Sequence, residues 1–84
     1  MKKIMIVDDN ALSVEGIEKN IDWAALGTQV THIKYDGGSA IEAMKQEPAD
    51  IIISDIEMPD LDGISMSRLA ISINPFVKVI LISA

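Results

Sequence analysis

The sequence predicts an α/β fold: a doubly wound parallel sheet of four strands in the order 2-1-3-4, with three helices. Short apolar runs alternate with amphipathic stretches along the 84 residues, which is the pattern of βαβ units. Three of the apolar runs end on acidic or hydroxyl side chains, as expected where the carboxyl ends of parallel strands border a ligand crevice. Right-handed crossovers then place the first and third strands side by side at the centre of the sheet.

The first half of the chain predicts two strands and one helix. Residues 3–7 are mostly apolar and predict a buried strand. Asp9 or Asn10 can cap the helix that follows over 11–22, because either side chain accepts a hydrogen bond from a free amide of the first turn. The apolar residues Val14, Ile17 and Ile21 recur three and four positions apart along that helix and share one inner face. A more polar strand follows over 30–35.

The second half predicts two helices and two strands. Asp36-Gly37-Gly38 indicates a turn that leads into a helix over 39–46. Residues 51–54 are apolar up to a final serine, as in a central parallel strand. The third helix, over 64–73, carries apolar residues at i, i+3, i+4 and i+7, which predicts a core-facing stripe. The stripe consists of Met66, Leu69, Ala70 and Ile73. The fourth strand spans 77–82.

Composition excludes several classes of protein. The chain is 49% hydrophobic, which excludes a disordered segment. Its net charge of −6 argues against direct nucleic-acid binding, which needs a basic footprint. No apolar run approaches the roughly 20 residues of a membrane span. The sequence has no cysteine, which excludes disulfides and thiolate metal sites and fits a cytoplasmic protein.

Acidic side chains follow two of the predicted strands. Asp8 and Asp9 come directly after the first strand, Asp55 follows the third, and the hydroxyl of Ser83 follows the fourth. Because the carboxyl ends of parallel strands meet at one edge, we expect these side chains around one small crevice. Crowded carboxylates repel one another unless a cation neutralises them, and Mg²⁺ prefers oxygen ligands. A carboxylate beside such an ion can attack a phosphoryl donor and become an aspartyl phosphate.

Three segments of the sequence resemble the receiver domain of two-component response regulators. They are Val7-Asp8-Asp9, the loop 55–63 (DIEMPDLDG) and residues 79–84. The resemblance covers the whole chain and implies a flavodoxin-like fold. A second, weaker resemblance is to the branch of regulators that carry an arabinose-regulator-type helix-turn-helix output domain. It rests on residues 15–17, 21–23 and 26–27.

The resemblance implies a role for each site residue. Asp55 would be the phosphoacceptor, and Ser83 the switch hydroxyl that binds the phosphoryl group once it has formed. Mg²⁺ would be held directly by Asp9, through water by Asp8, and also by Asp55 and the backbone carbonyl of Glu57. A sensor histidine kinase would supply the phosphate. Such a receiver is not an enzyme, except that it promotes its own phosphorylation and dephosphorylation.

The chain departs from this family at its carboxyl end. Receivers continue with another helix, a fifth strand that ends in a lysine, and a final helix, so we expect residues 1–84 to form a receiver incomplete at the C-terminus. The fourth strand would then be an open edge, through which we expect a homo-oligomer or a domain-swapped dimer. The equal alternative is that these 84 residues are a segment of a longer regulator. The small Ala84 would leave the phosphoryl group accessible. No membrane contact is expected.

Other functions fit the residues less well. Each acid by itself can be explained as a helix cap or a turn former, but that explanation does not account for three acids at the ends of two neighbouring strands. Asp55-Ile56-Glu57 superficially fits a haloacid-dehalogenase-like phosphatase, although that family has aspartate as its second acid and Thr or Val where this chain has Pro59. An EF-hand fails, because Gly63 as sixth loop residue makes Met58 the first ligand. The remaining alternative is a degenerate or truncated receiver that serves only as an interaction or dimerisation module.

Overall fold

The computed structural model describes residues 1–83, which form a four-stranded parallel sheet with helices on both faces. The strands are β1 (Lys2–Val7), β2 (Thr28–Lys34), β3 (Ile51–Asp55) and β4 (Lys78–Ile82). The helices are α1 (Ala11–Asn20), α2 (Gly37–Gln46) and α3 (Gly63–Ile73), and a 3-10 turn lies at Ala24–Leu26. The strand order β2-β1-β3-β4 confirms the predicted fold class. No helix within residues 1–83 is both long and apolar enough to cross a membrane.

Apolar side chains fill the space on both faces of the sheet. The larger core lies between the sheet and the helices α2 and α3, and its fully buried members include Met5, Met44, Ile52 and Met66. The smaller core lies beneath α1 and contains Ile4, Ile6, Val14 and Ile53. Successive residues of β1 and β3 thus point into opposite cores, because side chains alternate between the faces of a strand.

Each helix begins at a residue whose side chain accepts a backbone hydrogen bond. Asn10, and not Asp9, caps α1. Asp36 accepts from the Ser39 amide at 2.7 Å, and Asp62 from the Ser65 amide at 2.8 Å. These hydrogen bonds stabilise the ionised carboxylates and lower the pKa of both aspartates. Because α2 begins directly after Asp36, the turn predicted at 36–38 is instead the cap and first turn of that helix.

Two apolar residues of the predicted inner faces lie outside the cores. Helix α1 ends at Asn20, and Ile21 beyond it has an extended backbone and is exposed. Leu69 in α3 is 45% exposed, whereas Met66 and Ala70 are fully buried. Met66 and Ala70 are four residues apart and lie nearly above one another on the helix, whereas Leu69 is three residues from Met66 and lies further round the helix. The buried stripe of α3 is therefore narrower than predicted.

Gly63 is required by a close approach of two backbone segments. A Cβ at this position would overlap the carbonyl oxygen of Asp55. The Gly63 amide donates to the carbonyl of Ile56 at 2.8 Å, which holds the start of α3 against the end of β3. Among the described glycines the left-handed backbone belongs to Gly27 and not to Gly63. Steric contact, rather than a special φ, therefore explains the glycine here.

We expect Gly63→Ala to destabilise the fold by about 2 kcal/mol or more, because the overlapping atoms are backbone and cannot rotate away. Gly16→Ala is the matched control, since its added Cβ meets only the Asn20 Nδ2 at 4.0 Å. Alanine in place of glycine within a helix should stabilise by up to about 1 kcal/mol. Urea unfolding followed by circular dichroism measures both changes, and equal midpoints for the two variants would contradict the steric explanation.

Candidate functional site

Three carboxylates form a cluster at the carboxyl edge of the sheet. One oxygen from each of Asp8, Asp9 and Asp55 lies within 4.8 Å of the other two. Asp8 and Asp9 directly follow β1, and Asp55 is the last residue of β3. Since β1 and β3 are neighbouring parallel strands, their ends meet, and the fold brings these three predicted site residues together.

The three acids differ in their surroundings. Asp8 is buried, Asp55 is half-buried and Asp9 is exposed. Burial raises the pKa of Asp8, the hydrogen bond from the Asn10 amide opposes that effect, and the charges of Asp55 and Asp9 raise it further. That hydrogen bond is 2.9 Å long and fixes one oxygen of the Asp8 carboxylate. The site therefore combines one fixed, buried acid with two that solvent can reach.

Asn10 is a site residue that sequence reasoning treated only as a helix cap. Its side chain caps α1, while its own amide donates to Asp8 Oδ1. The signal for the second contact is present in the sequence, since an aspartate two residues before an amide favours a local turn in which the carboxylate accepts that amide. Asn10 thus couples the start of α1 to the orientation of Asp8.

The loop after β3 orients Asp55. The Glu57 amide donates weakly to Asp55 Oδ1, at 3.4 Å. Asp60 has a left-handed backbone with φ of 68°, which is uncommon for a residue other than glycine. The Gly63 amide closes the loop on Ile56. These contacts hold the loop while leaving most of the Asp55 carboxylate free of protein partners within residues 1–83.

Ser83 and Glu57 lie near the cluster without forming part of it. Ser83 is exposed and directly follows Ile82, the residue of β4 in register with Asp55. It therefore lies at the same edge of the sheet. Glu57 is exposed, two residues beyond Asp55 in the loop. Ala84, expected to leave the phosphoryl group accessible, lies outside the described residues.

A groove of about 500 Å³ opens beside the cluster, between α1 and β4. Ser13, Gly16 and Ile17 of α1 line it together with Ile82, and the three carboxylates of the cluster line it as well. The sequence predicted the acids but not the groove, whose width depends on how far α1 lies from β4. Small residues at positions 13 and 16, one helical turn apart, are the sequence signal for this open side of the helix.

No cation of the described chain neutralises the cluster. The lysine ion pairs of residues 1–83 lie elsewhere, and they are Lys3–Glu47, Lys19–Glu15 and Lys45–Glu42. The donor atoms of the cluster are all carboxylate oxygens, the hard ligands that bind divalent cations such as Mg²⁺ or Ca²⁺. The arrangement can therefore hold a divalent cation.

Asp8→Asn should raise the melting temperature by a few degrees at neutral pH in EDTA. Because the pKa of Asp8 is raised above its ordinary 3.8 in the folded state, ionisation of Asp8 costs stability at every pH above the folded pKa. That cost disappears as the pH falls towards 3.8, the ordinary pKa of an aspartate in the unfolded chain. The advantage of the variant should therefore vanish in acid.

Differential scanning fluorimetry between pH 3 and 8 measures the difference in melting temperature between the variant and the parent, and so tests its direction. Glu18→Gln removes one negative charge from the exposed face of α1, away from the cluster, and serves as control. An Asp8→Asn variant that is less stable than the parent at pH 7 would contradict the electrostatic argument.

Comparison with known proteins gives consistent matches along the chain. A family model described as the response regulator receiver domain matches residues 4–84. The response regulator receiver protein CpdR from Brucella abortus is 35% identical over 83 residues, covering 99% of this chain and 67% of CpdR. The transcriptional regulatory protein YesN from Bacillus subtilis is 29% identical over 83 residues, covering 99% of this chain and 23% of YesN.

A solved structure matches the fold closely. The crystal structure of a two-component transcriptional regulator AraC from Clostridium phytofermentans superposes with a TM-score of 0.94 at 32% identity. The match covers 99% of this chain and 64% of that one. The chain thus spans less than a quarter of YesN and about two thirds of the other two proteins.

Proposed function

The chain belongs to the family of response regulator receiver domains, and from this we propose that Asp55 is its phosphoacceptor. The observation that carries the proposal is the carboxylate cluster, with three oxygens within 4.8 Å at the ends of β1 and β3. All three acids line the groove, but Asp55 is half-buried with only a weak amide contact, whereas Asp8 is buried and held by the Asn10 amide. Of these two acids, Asp55 is therefore the better placed nucleophile.

The cluster suits a magnesium ion. Its donors are hard oxygens, and the raised pKa of Asp8 shows that burial and neighbouring charge disfavour its ionised form. We propose that Asp8, Asp9 and Asp55 hold Mg²⁺, with the backbone carbonyl of Glu57 as a further ligand. When bound, the ion would offset the negative charge of the phosphoryl group during transfer.

The residues of the chain contribute positioning and the nucleophile. A carboxylate oxygen of Asp55 attacks phosphorus, forming an O–P bond while the bond between phosphorus and the leaving group breaks. The leaving group departs with the bonding electron pair, and with acetyl phosphate it is acetate. The Glu57 amide contacts one Asp55 oxygen at 3.4 Å, which limits rotation of the carboxylate. Preorganisation of this kind is the main protein contribution to phosphoryl transfer.

Ser83 is the proposed switch hydroxyl. It directly follows Ile82, which is in register with Asp55, so it lies on the neighbouring strand at the edge where the phosphoryl group would form. Its hydroxyl can donate a hydrogen bond to a phosphoryl oxygen, which would draw the end of β4 towards the site. Phosphorylation of Asp55 would in this way alter the outer side of β4.

The partner we propose is a sensor histidine kinase, which would transfer phosphate to Asp55 in the cytoplasm. Similarity to YesN and to the Clostridium regulator supports a role in transcription regulation. DNA contacts would belong to an output domain of the kind these longer regulators contain. This acidic segment, with a net charge of −6, is not proposed to bind nucleic acid itself.

Incubation with acetyl phosphate and Mg²⁺ should add one phosphoryl group per chain, detected by intact mass. Asp55→Asn should abolish the addition because the amide is not a nucleophile, and EDTA should abolish it by removing the ion. Asp60→Asn is the matched control, since it changes another acid of the same loop that lies outside the cluster. Modification that persists in folded Asp55→Asn protein would overturn the assignment.

A further inference from the structure

Helices α2 and α3 begin with the same sequence pattern. The start of α2 lies within Asp36-Gly37-Gly38-Ser39 and that of α3 within Asp62-Gly63-Ile64-Ser65, so both have the form Asp-Gly-x-Ser. In each, the aspartate caps the helix by accepting the serine amide, and the serine hydroxyl donates to the second carboxylate oxygen at 3.1 Å or 3.2 Å. Capping explains the aspartate and the serine. It does not explain the glycine, which is a poor helix former and has no left-handed backbone at either position.

Both glycines lie against the segment that follows β3, the β3–α3 loop (residues 56–62) together with Asp55. Gly63 lies against the Asp55 carbonyl oxygen. Gly37 is buried, and a Cβ at this position would lie 2.7 Å from the carbonyl oxygen of Leu61 and 2.9 Å from the Leu61 Cβ. Only a residue without a side chain allows two backbone segments to approach so closely. The β3–α3 loop is therefore held between the starts of two helices.

The middle of the β3–α3 loop has a tightly constrained backbone. Met58 is buried in the larger core, and the half-buried Leu61 packs against the same core. The Leu61 amide donates to the Pro59 carbonyl at 2.8 Å, which closes a turn of three residues. Asp60, at the centre of that turn, has the left-handed backbone, and a residue other than glycine keeps such a backbone only when its surroundings hold it. The contact between Gly37 and Leu61 is a constraint of this kind.

An added side chain at Gly37 would displace the loop rather than the helix. Helix α2 is anchored in the larger core by four apolar residues, which are Ala40, Ile41, Ala43 and Met44. Moving the helix away from the loop would open space in a close-packed interior. Leu61 is only half-buried, and its neighbours Asp60 and Asp62 are exposed. The loop can therefore move at a lower cost in free energy than α2.

A movement of the loop reaches the carboxylate cluster through Glu57. The Gly63 amide is bonded to the Ile56 carbonyl, so both ends of the loop are fixed and the displacement falls on the residues between them. Glu57 is the first of these residues, and its amide contacts Asp55 Oδ1 at 3.4 Å. Its carbonyl is the further metal ligand proposed above. Displacement of Glu57 therefore changes both the orientation of the Asp55 carboxylate and the position of that ligand.

We propose that Gly37 is a positioning residue for Asp55 and Glu57. Because it has no side chain, α2 can support the middle of the β3–α3 loop, while Gly63 fixes the end of the loop at β3. The two Asp-Gly-x-Ser helix starts thus act together as supports of the carboxylate cluster. The effect of Gly37 on metal binding and phosphorylation rests on the function proposed above, whereas the contact between α2 and the loop does not.

Gly37→Ala and Gly38→Ala form a matched pair of variants. Both exchange glycine for alanine in the first turn of α2, but Gly38 is exposed, and the nearest non-neighbouring atom to its added Cβ would be Asp36 Oδ1 at 3.4 Å. Proton–nitrogen-15 correlation spectra without metal should show shifted amide signals at residues 57–62 in Gly37→Ala. In Gly38→Ala the shifts should be confined to the start of α2. Unchanged loop signals in folded Gly37→Ala protein would overturn the contact.

Titration of the same amide signals with magnesium chloride alone tests the effect on the metal site. Gly37→Ala should weaken Mg²⁺ binding by about tenfold or more, the usual effect of losing a group that orients metal ligands. Gly38→Ala should bind like the parent. A glycine that served stability alone would change the fraction of folded chain but not the affinity of the folded protein. Equal Mg²⁺ affinities in the two folded variants would therefore overturn the positioning role.

Leu61→Ala tests the contact from the loop side and adds no atom to α2, so it replaces Gly37→Ala if that variant does not fold. It removes side-chain packing that holds the loop on the core. The amide signals of residues 57–62 should shift, and Mg²⁺ should bind more weakly. Leu26→Ala, at a residue that is 67% exposed in the 3-10 turn, is the control. Loop signals and Mg²⁺ affinity equal to those of the control would contradict the proposal.

Phosphorylation by acetyl phosphate, followed by intact mass, separates this role from the proposed function itself. At equal Mg²⁺ concentration, Gly37→Ala should be phosphorylated about tenfold more slowly than Gly38→Ala, or slower still. If the parent takes up no phosphoryl group, the proposed function fails, and the amide shifts still decide whether α2 holds the loop. If the parent is phosphorylated and the two variants react at equal rates, the positioning role of Gly37 fails.

Discussion

The parallel pairing of β1 with β3 is the constraint on which the site depends. Backbone hydrogen bonds place Val7 opposite Ser54, and both residues are fully buried. The next residues along the two strands, Asp8 and Asp55, must therefore lie side by side despite their like charges. Burial of the surrounding apolar side chains stabilises the strand pair, and the repulsion between carboxylates opposes it. The fold thus holds together three acids that would separate if they were free to do so.

The loop after β3 fixes the position of Asp55, the proposed phosphoacceptor, through backbone contacts. Asp62 caps α3 through the Ser65 amide, and the missing Cβ of Gly63 lets the helix start against the carbonyl of Asp55. Asp60 takes up the left-handed backbone that the tight path requires. If Asp55 is the phosphoacceptor as proposed, a bound ion and a phosphoryl donor would meet a site whose geometry already exists, which would reduce the reorganisation that transfer needs.

The sequence predicts the features that follow from the order and handedness of the strands. It does not predict those that depend on the exact distance between a helix and the sheet. The strand order and the meeting of Asp8 and Asp55 follow from the period of the apolar residues and from the handedness of crossovers. The choice of Asn10 over Asp9 as cap does not follow, because both side chains cap well. Exposure of Leu69 and the groove beside Ile82 also escape prediction, since each depends on how closely a helix packs on the sheet.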